Sequence, residues 1–166
     1  MTAQFAEALR YQGADLPMCT NPLGDYFAMG GFKPRFRWNC TALWRGYLGR
    51  WEIVDGRLYL VELKGTLQDG TEASVATIFP GFPDRAFAHW YSGTIRVPQG
   101  KRLQYVHMGY GSTFEWDLLL ELERGVVKNT RVRLNGTAAS AGGPKGYGIG
   151  VMAVFPRASK DDGEAA

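Results

Sequence analysis

TALWRGYLGRWEIVDGRLYLVEL, residues 41–63, decides how the rest of the chain is read. Two aromatic-rich apolar runs flank Asp55-Gly56, a dipeptide that tolerates the positive φ angles of a type I′ turn and joins antiparallel strands. Along the first run, Tyr47, Trp51 and Ile53 share a face with Arg45, while Leu48 and Val54 share the other with Arg50 and Glu52. Neither face is purely polar, so the pattern predicts a central, largely covered strand.

Working outward, the same grammar repeats. ALRYQGADLPMC reads as a small hairpin turning near Gln12-Gly13. TNPLGDYFAMGG reads as one short helix, with Thr20 or Asn21 at its cap, Pro22 in its first turn and Gly30 at its end. Beyond the Asp55-Gly56 hairpin, ASVATIF reads as a strand, PGFPD as a loop and AFAHWYSGTIRV as another strand. Gln99-Gly100 is expected to turn that strand into RLQYVHM, and Arg124-Gly125 to join STFEWDLLLELE to VVKNTRVRL. Strands of about ten residues without a long helical pattern between them predict a mainly β fold. The architecture expected is an antiparallel β-sandwich or open barrel with one short N-terminal helix. In STFEWDLLLELE a period of two puts Phe114, Trp116, Leu118, Leu120 and Leu122 in the core. The other face then carries Glu115, Asp117, Leu119, Glu121 and Glu123, most of them in water.

The expected organisation is a single β domain over residues 1–135. Residues 136–166 form a Gly- and Ala-rich tail, expected to be partly disordered, in which GIGVMAVF (148–155) could add one more strand. With 166 residues, 45% of them hydrophobic, the chain is long enough for one core. Its net charge of +3 is too mild to imply nucleic acid or an anionic membrane. No apolar run approaches the roughly 20 residues a membrane helix needs, and no export signal is visible. A cytoplasmic protein with Cys19 and Cys40 as reduced thiols is the resulting expectation. Cys19, Cys40, His89 and His107 lack the close-spaced pairs of a zinc site, and no cofactor is expected.

Candidate chemistry is sparse. HMGYGS (107–112) offers an acid/base histidine among glycines, but it is not a phosphate-binding GxGxxG and opens no helix. A Gly-kinked bend explains it equally simply. Glu115 and Asp117 lie roughly 7 Å apart on one strand face. Glycoside hydrolysis uses such pairs only when their environments differ, and here Glu121 and Glu123 continue a row that looks solvated. His89, alternating with Phe87, reads as a half-buried core residue. No serine sits in a GxSxG elbow. Cys40 has Arg37 nearby and could be an activated thiol only if a histidine reached it.

The charge map says more. No acid occurs between Asp25 and Glu52, where Lys33, Arg35, Arg37, Arg45 and Arg50 alternate with Phe32, Phe36, Trp38, Trp44, Tyr47 and Trp51. Arginine beside exposed aromatics makes binding hot spots. Arg35 and Arg37 precede the sheet and are expected to face outward, whereas Arg45 and Arg50 could be neutralised by acids inside it.

The Arg-Gly-Tyr before Trp-Glu-Ile, the Asp-Gly hairpin and the His-Met-Gly-Tyr block before an acidic strand resemble a widespread family of small uncharacterised bacterial proteins. The resemblance spans about residues 10–127 and carries no activity or catalytic residue across; by type it is similar to immunity proteins of toxin systems. Three readings follow. The first is a non-enzymatic protein-binding module, of immunity or inhibitor type, that binds a toxin or effector through Arg35, Arg37, Trp38, Arg45 and Tyr47. The second is a small-ligand binder or enzyme with a pocket near His107, Tyr110 and Glu115, drawing in Arg45 and Tyr47. The third, single-stranded nucleic-acid binding through Arg35, Arg37 and Trp38, is disfavoured by the mild charge.

Overall fold

A computed structural model describes residues 3–38 and 40–137. The protein is mainly β: one mixed eight-stranded sheet, not closed into a barrel. Its first hairpin pairs β1 (Glu7–Tyr11) with β2 (Ala14–Met18) across Gln12-Gly13, both at positive φ. Helix α1 (Pro22–Ala28) follows, with Pro22 in its first turn and Gly30 beyond its end at φ 99°. Asn21 stands at the cap without a capping side-chain bond. The stretch quoted above supplies β3 (Tyr47–Val54) and β4 (Arg57–Gly65), joined through Asp55 and Gly56 at φ 53° and 74°. The strand starts later than the hydrophobicity suggests, because Thr41–Leu43 forms a single 3-10 turn.

Further along, β6 (Gly93–Gln104), β7 (Thr113–Glu123) and β8 (Val126–Leu134) form a meander, with Arg124-Gly125 as the second turn. The spatial order is β2-β1-β3-β4-β8-β7-β6, and β5 (Ala86–Phe87) pairs with β4 at the side. β1 runs parallel to β3, so the sheet is not wholly antiparallel. The β4–β8 junction is short: among the described residues the only Cα pair in register is Arg57 with Val126. The outer strands approach at the other side, where the Cys19 N–H donates to the Arg96 carbonyl at 2.9 Å.

Three expectations are corrected. ASVATIF is not a strand but holds the one-turn helix α2 (Val75–Ile78). Its β-branched residues favour a strand, yet Thr77 Oγ1 accepts the Ser74 N–H at 2.9 Å, a side-chain bond that closes a helical turn. Gln99-Gly100 does not end a strand. It is a bulge inside β6, with Gly100 at φ 83° and the register shifting between Gln99 and Arg102. AFAHWYSGTIRV is split by a turn, leaving His89 exposed while the Trp90 indole donates to the Pro22 carbonyl at 2.8 Å.

The core lies on one face of the curled sheet. Leu9 and Met18 from the first hairpin, Trp51 from β3, Leu58 and Leu60 from β4 and Leu120 from β7 are fully buried there. Alternation on β7 holds for Phe114, Leu120 and Leu122 but weakens at Trp116 and Leu118, which are half-buried. On the opposite face Asp117 and Leu119 are buried, so that row is not a solvated stripe. The expected extra strand over 148–155 and most of the expected tail lie outside the described residues.

Candidate functional site

Phe36 explains how the basic aromatic segment is displayed. It bridges Leu67, and its ring packs 5.1 Å from that of Tyr47, close against Gly46 and Gly65. Backbone bonds run from Arg37 N–H to Thr66 O at 2.6 Å and from Gln68 N–H to Arg35 O at 3.0 Å. The Gln68 amide also donates to Phe36 O at 3.0 Å. With Phe36 turned inward, strand-like alternation sends Arg35 and Arg37 outward, and both are exposed. Trp38 remains 59% exposed and Trp44 61%. The bonds at Arg35 and Arg37 fix the backbone just before Trp38, which lowers the ordering cost of binding through its exposed indole.

Arg45 and Tyr47, grouped with that segment in the sequence reading, are elsewhere. Tyr47 is 2% exposed. The Arg45 guanidinium sits 5.5 Å from the Tyr47 ring centre, donates from Nε to Glu7 Oε2 at 3.0 Å and from Nη2 to the Phe5 carbonyl at 3.1 Å. Glu7 is fully enclosed, and its other oxygen accepts the Trp51 indole N–H at 2.6 Å. Burial pushes the Glu7 carboxyl above its usual range, although Arg45, Trp51 and the Gly49 amide all pull it down. A methyl group at position 49 would stand 2.7 Å from Glu7 Oε1 and 2.8 Å from the indole nitrogen, so glycine there makes room for the pair.

Tyr110 joins this cluster through its hydroxyl, which donates to Asn21 Oδ1 at 2.6 Å and lies 3.3 Å from the same Phe5 carbonyl. Burial raises both the Tyr47 and the Tyr110 phenols, so both stay neutral. His107 is not with them. It is exposed, with Nδ1 at 2.9 Å from the Tyr105 hydroxyl. The expected pocket of Arg45, Tyr47, His107 and Tyr110 therefore resolves into a packed polar cluster of three, with the histidine outside.

Asp117 is the second missed centre. It was expected among the solvent-facing acids, yet no part of it reaches solvent. Arg96 Nε donates to Oδ1 at 3.1 Å; Arg133 Nη2 at 2.6 Å and Asn135 Nδ2 at 3.1 Å donate to Oδ2. Burial alone would raise this carboxyl, but bonds from Arg133 and Asn135 and the charge of Arg96 hold it below its usual range. Arg96 also donates to the carbonyls of Tyr110 and Ser112 at 2.8 and 2.7 Å, tying the HMGYGS segment to the sheet. Glu115 accepts the Lys101 N–H at 3.0 Å beside the Gly100 bulge. The two carboxylates thus serve separate local structures.

Among the described residues, two depressions are a groove of about 410 Å³ between β4 and α2, bordered by Lys64, Glu72 and Val75, and a hollow of about 160 Å³ by Ala8 and Gly49. Neither includes His107, Tyr110 or Glu115. Cys40 is exposed; burial pushes the Cys19 thiol up to about 11, and both are free. Among the described residues no three His, Cys, Asp or Glu side chains converge on a metal position, and no helix is long and apolar enough to cross a membrane.

Period-two parity held the signal for both missed acids. Glu7 shares a face with Leu9, and Asp117 with Leu119, so each stands in a buried row. No protein-family model, curated protein or solved structure matches the chain.

Proposed function

We propose that this chain is a non-enzymatic, cytoplasmic protein-binding module of the immunity or inhibitor type, related to the small bacterial family it resembles. Its contact surface is built on Arg35, Arg37 and Trp38. One observation carries this reading: Trp38 stays 59% exposed next to Arg37, in a segment whose Arg35 and Arg37 backbone groups bond to Gln68 and Thr66. Held that way, the indole offers apolar area and the guanidinium groups offer directional donors to partner carboxylates or carbonyls. Arg45 and Tyr47 support the surface from behind, because Tyr47 carries the Phe36 ring that turns Arg35 and Arg37 outward.

The test is titration of the partner recovered from the native host. Trp38→Ala should weaken its binding by at least about 2 kcal/mol, roughly thirtyfold, with the melting temperature unchanged. His107→Ala should leave binding intact. If the recovered ligand is a nucleic acid, affinity should instead fall with salt, by roughly tenfold between about 50 and 200 mM for the two or three phosphates this surface could neutralise. A small molecule whose binding depends on His107, with no effect of Trp38→Ala, would refute the reading.

A further inference from the structure

β4 and β8 meet only at their turn-proximal ends and diverge beyond Val127, whose N–H still donates to the Gly56 carbonyl at 2.8 Å. Past that point no described strand pairs with the outer edge of β8, from Lys128 to Leu134. The Asn135 N–H points at β7, donating to Glu115 O at 2.8 Å. Backbone groups alternate in direction along an antiparallel strand, so Thr130, Val132 and Leu134 aim theirs away from β7. These donors and acceptors face the gap.

On the core-side face the edge carries Thr130 and then the apolar Val132 and Leu134. Register places Val132 opposite Leu118 and Leu134 opposite Trp116, on the face that carries the core at Leu120. The core covering stops short of them. Val132 is 53% exposed and Leu134 80%, while Trp116 and Leu118 are half-buried. A long edge with an open apolar face is a template for another strand.

The chain itself continues from this end of β8. Residues 138–147 number ten, a length of chain that can span at most roughly 30 Å. GIGVMAVF follows, with Ile149, Val151, Ala153 and Phe155 on one face at period two. Its eight residues match the seven from Lys128 to Leu134, and a returning chain would run antiparallel to β8. We propose that residues 148–155 add to the edge of β8 that faces away from β7 and set this face beside Val132 and Leu134.

Residue-resolved amide exchange on the full chain tests it. The amides of Thr130, Val132 and Leu134 should exchange at least about tenfold more slowly than in Val151→Pro and Met152→Pro, as for amides released by local opening. Adjacent proline sites ensure that one removes an N–H aimed at β8. The β7-facing amides of Arg131 and Arg133, and those of β3, should be slow in all three proteins, which shows that the variants fold. Rapid exchange at 130, 132 and 134 in the unaltered chain overturns the proposal. So does equal protection in the proline variants. Protection that rises with protein concentration, alongside doubled mass in sedimentation, would assign the edge to a second copy and overturn it as well. If neither variant folds, the alternating pattern in the unaltered chain at low concentration decides.

Discussion

Glu7 and Asp117 are both carboxylates withdrawn from water on β-strands, both bonded to arginine, and burial prevails at one but not at the other. Glu7 meets a single cation, Arg45, plus an indole and a backbone amide. Asp117 meets two cations and an amide, four N–H donors in all. Donor number is one difference; the hydration left to the partner is the other. The Arg45 side chain is 11% exposed, whereas that of Arg133 is 54% exposed and keeps much of its water while it binds. Desolvating one partner of a pair is less costly than desolvating both.

The largest expected effect comes from breaking the weaker site. Arg45→Ala strands Glu7 in the interior and should destabilise the fold by about 3–5 kcal/mol, the cost of an uncompensated buried charge, read by urea denaturation. Glu7→Gln should be milder than Arg45→Ala, since it removes the charge that needs compensation; the reverse order would break the comparison. Next in size, Asp117→Asn should cost about 1.5–3 kcal/mol, the value of hydrogen bonds to a charged group.

Smaller again, and opposite in sign, are the pH slopes. Folded Glu7 holds its proton more tightly than the unfolded chain does. Stability should therefore fall as pH rises from about 4.5 through the raised folded value, by at most about 1.4 kcal/mol per pH unit. Folded Asp117 holds its proton less tightly, so its contribution is complete above 3.8 and lost as pH falls through the lowered folded value. Denaturation midpoints across acid pH should lose the first slope in Glu7→Gln and the second in Asp117→Asn. The smallest effect belongs to a third pair, Glu121 with Arg131, where the side chains are 36% and 53% exposed. Glu121→Gln should leave the melting temperature unchanged within error, because exposed pairs contribute little.

What the sequence made legible divides along the same physical line. Gln12-Gly13, Asp55-Gly56 and Arg124-Gly125 were readable because a positive φ is a local demand with a local residue signature. Arg35 and Arg37 were readable as outward because they precede the sheet and alternate with Phe36; the same alternation would turn Trp38 inward, so its exposure emerges only from the structure. Glu7 and Asp117 were not, since their partners Arg45, Arg96 and Arg133 come from elsewhere in the chain and only the folded sheet aligns them. Gly100 misled for a related reason: a bulge and a turn ask the same φ of glycine, and the partner strand decides between them. The helix at Val75 was missed because β-branched residues outweighed one Ser74–Thr77 bond.

The parallel seat of β1 beside β3 has a consequence for synthesis. The first hairpin leaves the ribosome early, but Gln4 donates to the carbonyl of Gly109, and Phe5 accepts from Tyr110, 105 residues later. Translation at about 5–20 residues per second makes that wait roughly 5–20 seconds. Throughout it β2, with Leu16 and Met18 later enclosed, has no β6 beside it to receive the Cys19 N–H at the Arg96 carbonyl. The nascent chain therefore carries a hairpin that is complete in its own pairing and unfinished in its surroundings.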